Sequence, residues 1–269
     1  MVRPHLFEFL DLAWYPDLFR NLQTDMIQFV SRSAYEGTAP SIARVLRRVG
    51  GSQVLDLCSG AGGPWPNLLP LVAQELPDLN VRLSDKFPNR PMFERLKRST
   101  GGALDYVDSP VLADAVPADL TGMRTVFQGF HHLRPEQAKA VLQDAAASGR
   151  AIGVFDVLSA RTGIGNLLSV LLPLPLLPLL FVLMFFVLLP RLKPVTLPRI
   201  LFTYLIPLVP LATAWDYLVS GLRSYTKVEL EEMAASVERE GYVWEVGQLT
   251  SGRIPMNYVL GYPAETEKP

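Results

Sequence analysis

An α/β fold, with a parallel sheet covered by helices, a C-terminal antiparallel hairpin and an apolar helical insertion, is predicted by three observations in this 269-residue chain. Short apolar runs ending in an acidic residue alternate with helical patterns, which implies a sheet covered on both faces. A glycine-rich turn follows the first such run, as Val54-Leu55-Asp56-Leu57-Cys58-Ser59-Gly60-Ala61-Gly62-Gly63. The last two apolar runs are joined by Ser251-Gly252-Arg253-Ile254-Pro255 with no helix between them, the pattern of a hairpin.

Residues 5–35 carry Phe7, Phe9, Trp14, Tyr15, Phe19 and Phe29 at roughly helical spacing, which predicts one or two amphipathic helices. Residues 40–49 predict another helix, with Pro40 in its first turn and Gly50-Gly51 as its stop. Residues 53–57 then read as a buried strand and 65–75 as a helix. The unit repeats with strand 81–85 ending at Asp85, helix 91–99, and strand 104–107 ending before Asp108. Strand 125–129 leads into Phe130-His131-His132-Leu133, followed by helix 135–147 and strand 151–158. Beyond the apolar region, Thr226 and Glu229 have the spacing of a capping box, opening a helix that runs to about Gly241. Strands 242–249 and 257–262 close the chain.

Composition limits the function classes. With 25 Lys plus Arg against 26 Asp plus Glu, the chain lacks the electrostatic footprint of a nucleic-acid binder. The single cysteine, Cys58, excludes an intrachain disulfide framework and fits a reducing compartment. Glu8 and Asp11 interrupt the apolar N-terminal stretch, so a secretory signal is not expected and the cytoplasmic side is.

The average hides an uneven distribution. Residues 162–190 form a run of 29 without Asp, Glu, Lys or Arg, and residues 200–215 another of 16. A membrane-crossing helix needs about 20 apolar residues, and both runs read as long enough to meet lipid. Strands on either side of this block belong to one sheet, so the chain returns to the side it left and a single crossing is excluded. Two crossings would place Arg191, Lys193 and Arg199 on the far side, against the positive-inside tendency. Pro173, Pro175, Pro178, Pro207 and Pro210 also interrupt the helices. Two helical hairpins dipping into one leaflet are therefore expected, with a spanning pair and a buried subdomain or dimer interface as alternatives. The resulting division is a helical cap over 1–39, a catalytic-type domain over 40–160 and 222–269, and the insertion over 161–221.

Over residues 40–160 and 222–262 the chain resembles the class I S-adenosylmethionine-dependent methyltransferases. The family's acid-x-G-x-G-x-G motif appears as Asp56 to Gly62, with Cys58 in place of the first glycine. The resemblance implies that Asp56, Cys58, Ser59, Gly60 and Gly62 receive the methionine part of S-adenosylmethionine. It implies that Asp85 binds the ribose hydroxyls, that Asp108 lies near the adenine, and that Gln128 completes the cofactor set. A nicotinamide site would want G-x-G-x-x-G, which Gly60, Gly62 and Gly63 do not supply. No P-loop, zinc-ligand spacing or nucleophile elbow is present, and no metal is expected.

In this family an insertion after the fifth strand often covers the acceptor pocket, so the apolar block implies a lipid or lipophilic small-molecule acceptor, met at the membrane surface through residues 164–215. His131 and His132 are candidate general bases where the fourth strand ends, the alternative being a helix cap and a packing residue. Tyr204, Trp215, Asp216, Arg223 and Tyr225 are candidate acceptor-pocket residues. Asp216 and Arg223, seven apart on one helical face, suit an ion pair. Tyr35 and Arg44 either reach the cofactor carboxylate or belong to a helix surface, and Cys58 reads as a packing residue. The competing function is a membrane-tethered protein that keeps the fold without transferring methyl groups.

Overall fold

The computed structural model describes residues 5–157, 191–192 and 194–264, with the isolated positions 179, 183 and 187. Seven strands form one sheet: β1 (Gln53–Leu57), β2 (Asn80–Leu83), β3 (Leu104–Tyr106), β4 (Met123–Phe127), β5 (Ile152–Asp156), β6 (Tyr242–Ser251) and β7 (Ile254–Pro263). Their order is β3-β2-β1-β4-β5-β7-β6, the first five parallel and β7 antiparallel to both its neighbours. The predicted sheet and hairpin are present. β1 is buried from Val54 to Leu57 and β5 throughout, as strands covered on both faces must be.

One face is covered by α2 (Ala39–Arg48), α3 (Trp65–Ala73) and α4 (Arg90–Ser99), whose Ile42, Leu46, Trp65, Leu68 and Phe93 share a core with Val54, Val81 and Leu83. The other face is covered by α5 (Pro135–Ala147) and by the C-terminal helix Lys227–Ala235, with Val141, Leu142, Leu230 and Ala234 packed on Leu55, Val126 and Val154. The Thr226 hydroxyl accepts the Glu229 N–H and the Glu229 carboxylate accepts the Thr226 N–H, so the predicted capping box is formed.

Most boundaries shift by one or two residues from the sequence pattern, and three differences have a local cause. β4 begins at Met123 rather than residue 125, because buried Arg124 is paired with Asp144 at 2.5 Å and places a charge inside the strand. The last helix stops at Ala235, well before Gly241: Val237 turns into the core, and its carbonyl accepts the Trp244 indole N–H at 3.1 Å. The hairpin turn is only Gly252-Arg253, so Ile254 and Pro255 pair with Ser251 and Thr250 in the ladder.

The N-terminal region is one helix, α1 (Asp17–Ser31), preceded by a 3-10 turn Phe9–Asp11. It packs on the described part of the apolar block: α6 (Leu197–Ile200), continued by a π turn over Leu201–Leu205, and α7 (Leu208–Arg223). Leu22 and Met26 meet Leu192 and Val209 there, and Arg199 is buried and paired with Asp25. The helix Lys227–Ala235 is then α8. Among the described residues no single helix is long and apolar enough to cross a membrane. Leu197–Leu205 and Leu208–Arg223 together reach that length and hydropathy, bent by 69° at their break. Most of the 162–190 run, and so the expected first hairpin, lies outside the described residues.

Candidate active site

The carboxyl ends of β1, β2 and β4 open onto a cavity of about 550 Å³. Its floor is the loop after β1, where Cys58 has φ +56° and Gly60 and Gly63 have φ +56° and +50°. Cys58 thus occupies left-handed backbone at the place where the family motif has glycine. Among the described residues only Cys58 and Gln128 take positive φ without being glycine, and both line the cavity. Such backbone costs an L-residue about 1–2 kcal/mol, and its concentration at one cavity marks a site. A Cβ on Gly129 would lie 2.7 Å from that of Cys58, so the β4 loop approaches the β1 loop as closely as glycine allows.

The two acidic strand ends have different roles. Asp56 is buried behind the loop, accepting hydroxyl bonds from Ser59 and Thr125, each at 2.6 Å. Ser84 donates to its carbonyl at 2.8 Å, so Asp56 ties the ends of β1, β2 and β4 together and does not line the cavity. Burial pushes its carboxyl up to about 7. Asp85 does line the cavity, accepting the Gly60 and Phe87 N–H groups at 2.8 Å each. Burial raises its pKa as well, and each oxygen keeps capacity for a further donor. Gly62 serves packing, since a Cβ there would lie 2.3 Å from the Leu96 side chain of α4. Asp108, expected near the adenine, is exposed and paired with Arg90 at 2.5 Å, away from the cavity.

The two histidines also separate. Both line the cavity, with rings stacked 4.6 Å apart. His131 is buried, and its Nδ1 lies 2.7 Å from Asp156 Oδ2. A carboxylate on Nδ1 orients the ring and leaves Nε2 to meet a proton donor. His132 Nδ1 lies 2.8 Å from Asp11 and 3.4 Å from Glu8. Burial would lower its pKa, but the Glu8 charge and the Asp11 hydrogen bond and charge outweigh this and hold it up to about 9. His132 is therefore a cation at neutral pH and unsuited to accept a proton.

The roof is built from residues 5–16 and α7. Arg223 is buried and donates to Glu8 at 2.9 Å, to Asp11 at 2.6 Å and to the His132 carbonyl. Asp216 accepts the Phe9 N–H at 2.8 Å and the Gln23 amide at 2.7 Å, and burial pushes its carboxyl up to about 6. The suggested Asp216–Arg223 ion pair is thus replaced by two separate attachments to the N-terminal segment, where Glu8, Asp11 and the backbone N–H groups are better placed. Tyr225 donates to the Leu133 carbonyl at 2.8 Å and Trp215 to the Phe7 carbonyl at 2.9 Å; neither lines the cavity, nor does Tyr204. Arg44 is a surface residue, bidentate to Glu245 at 3.0 and 2.7 Å, whereas Tyr35 is fully buried and lines the cavity.

Sequence reasoning missed Glu8, Asp11, Arg20 and Phe87 as wall residues. Arg20 donates to the carbonyls of Leu10, Leu12 and Tyr15 and lies 3.9 Å over the Phe87 ring. The available signal was a pair of acids inside an aromatic stretch. Glu8, His131 and His132 bring one ligand atom each within 4.8 Å of one another. The Arg223 guanidinium, bonded to Glu8, already supplies the positive charge a metal would bring.

No family model matches the chain, and no curated protein matches it. Solved structures do. PigF with S-adenosylhomocysteine is 14% identical, with 94% of this chain and 62% of that one covered and a TM-score of 0.55. Human N-acetylserotonin methyltransferase in complex with S-adenosylmethionine is 12% identical, covering 98% and 64%, at 0.53. The O-methyltransferase NcsB1 from neocarzinostatin biosynthesis, with S-adenosylmethionine and 2-hydroxy-5-methyl naphthoic acid, is 15% identical, covering 89% and 56%, at 0.51. The likeness shows the fold, a Rossmann-like methyltransferase fold of the kind found in O-methyltransferases. The chain spans 56–64% of the length of these three structures.

Proposed function

We propose that this protein is an S-adenosylmethionine-dependent methyltransferase whose acceptor is a lipid or a lipophilic small molecule, met at the cytoplasmic face of a membrane. The observation that carries the reading is one cavity lined by both the Gly60–Asp85 cradle and His131, whose ring is held from behind by Asp156. Its volume of about 550 Å³ falls within the range of small-molecule sites. Asp85 has oxygen capacity for a ribose diol, and Cys58, Ser59 and Gly60 present backbone where the loop runs nearest the cavity. When bound, the cofactor supplies an electrophilic methyl group on a sulfonium.

The chain's own contribution is positioning and proton removal. His131 Nε2 would take the proton of an acceptor hydroxyl as the methyl group passes to its oxygen and the cofactor leaves as the neutral thioether S-adenosylhomocysteine, and Asp156 would stabilise the resulting imidazolium. His132, already charged, holds Asp11 and Glu8 in the wall. The O-methyltransferase fold and the aromatic hydroxy acid bound by NcsB1 support an oxygen acceptor on an apolar body. Support for the membrane comes from the uncharged runs 162–190 and 200–215 and from the bent apolar pair α6–α7.

Calorimetric titration of S-adenosylmethionine into the full chain tests the cofactor site. One-to-one binding is expected, weakened about tenfold or more by Asp85→Asn, which lacks the charge to accept two hydroxyl bonds strongly. No heat and no competition by S-adenosylhomocysteine in the unaltered protein would contradict the reading.

A further inference from the structure

The segment that roofs the cavity is inverted relative to a water-facing turn. Its charged side chains, Glu8 and Asp11, are directed inward to Arg223 and His132. Three of its apolar ones face out, with Leu6 44%, Phe7 50% and Trp14 70% exposed, while Leu10 lines the cavity and Tyr15 is buried. Among the described residues, sixteen of the twenty exposed large apolar side chains lie in residues 6–30 or 179–217.

These side chains are linked across elements. The Phe7 ring lies 5.3 Å from that of Trp215. Leu208, Leu211 and Trp215 are spaced to share one face of α7, so Phe7 extends that stripe. Phe19 meets Phe202 edge-on at 4.8 Å, joining α1 to the π turn that carries Leu205, itself 73% exposed. The only Asp, Glu, Lys or Arg between residues 197 and 215 is Arg199, buried and paired with Asp25. Six residues, Arg191 and Lys193 among them, separate this stretch from the 29-residue run lacking charge.

We infer that residues 6–14 and the α6–α7 face form one bilayer-docking surface, so that the roof of the cavity rests on lipid. A bilayer is the occupant that suits an extended apolar face close in sequence to an uncharged run of that length, with the exposed Trp14 ring suited to the headgroup level. The inference rests on the membrane reading above and adds the N-terminal segment to the contact. Lipid contact with Phe7 and Trp14 acts directly on the segment that holds Glu8 and Asp11 in the cavity wall. An acceptor leaving the acyl layer meets the catalytic cavity at that same edge.

The test uses the full chain carrying Phe7→Cys, Trp14→Cys or Val228→Cys, each labelled with an environment-sensitive fluorophore. Native Cys58 is part-exposed at the cavity floor, so the labelled unaltered protein serves as the background for each variant. With phosphatidylcholine–phosphatidylglycerol vesicles, labels at 7 and 14 are expected to shift to the blue and be quenched by brominated acyl chains, while the label at 228 on α8 does not respond. Trp14→Ser, at the more exposed of the two positions, is expected to lower vesicle co-flotation several-fold with the melting temperature unchanged. Co-flotation without a response at 7 and 14 overturns the inference and leaves the membrane reading intact. No co-flotation of the unaltered chain overturns both. A blue shift that follows protein concentration without vesicles assigns the face to a second copy and also overturns it.

Discussion

Cys58 and Gln128 hold left-handed backbone on either side of the cavity floor, and Cys58 does so where a glycine would be unstrained. Cys58→Gly is therefore expected to keep S-adenosylmethionine affinity and to leave stability unchanged or raise it by about 1 kcal/mol. Cys58→Val, β-branched and pressed against Gly129, is expected to lower it by at least as much, as read by denaturant unfolding. His132 gives a pH signature. Its folded pKa of about 9 lies above the ordinary 6.5, so its contribution to stability is complete below about pH 6.5 and lost as pH rises through 9. The loss is on the order of 2 kcal/mol, and the melting temperature should fall over that window in the unaltered protein but much less in His132→Gln. At this scale the sequence was only partly legible. Asp56 and Asp85 are both acids at strand ends, and their roles diverge because Ser59 and Thr125 capture the first while the second stays open to the cavity. The adjacent histidines diverge because one faces a strand end and the other a segment more than 120 residues away in sequence.

Among the elements, alternating apolar runs and helical patterns were enough to locate five parallel strands and the closing hairpin. The failures have local causes. Arg124 disguised the start of β4 because its partner Asp144 lies on α5, and the C-terminal helix stopped early because Val237 is claimed by the core and Trp244. Gly62 looked like a ligand-binding glycine from the motif spacing, yet it is the point where the loop packs on α4. Gly62→Ala is accordingly expected to act through folding. It should destabilise by about 2 kcal/mol or more, from the Leu96 clash and the positive φ, while protein that remains folded binds S-adenosylmethionine with nearly unchanged affinity. Thermal unfolding and calorimetry on the same sample separate the two effects.

Across the whole molecule, the join that closes the cavity was the least legible feature. Glu8, Asp11 and the Phe9 N–H meet Asp216 and Arg223 across more than 200 residues of chain, and no periodicity reports such a pairing. The sequence showed acids inside an aromatic stretch and a charged pair leaving an apolar block; the fold brings them together as the cavity roof. The proposed cofactor cradle is built from the β1 and β2 loops, the proposed base from the turn after β4 backed by Asp156 of β5, and the roof from residues 5–16 and α7. That arrangement predicts chemistry as well as binding. Full-length protein incubated with S-adenosylmethionine labelled on its methyl group and a lipid extract should place label in an organic-soluble product. His131→Ala should lower the rate about 100-fold or more while leaving cofactor affinity unchanged. Tight cofactor binding without label in any product, or a His131→Ala rate equal to that of the unaltered protein, would contradict the account.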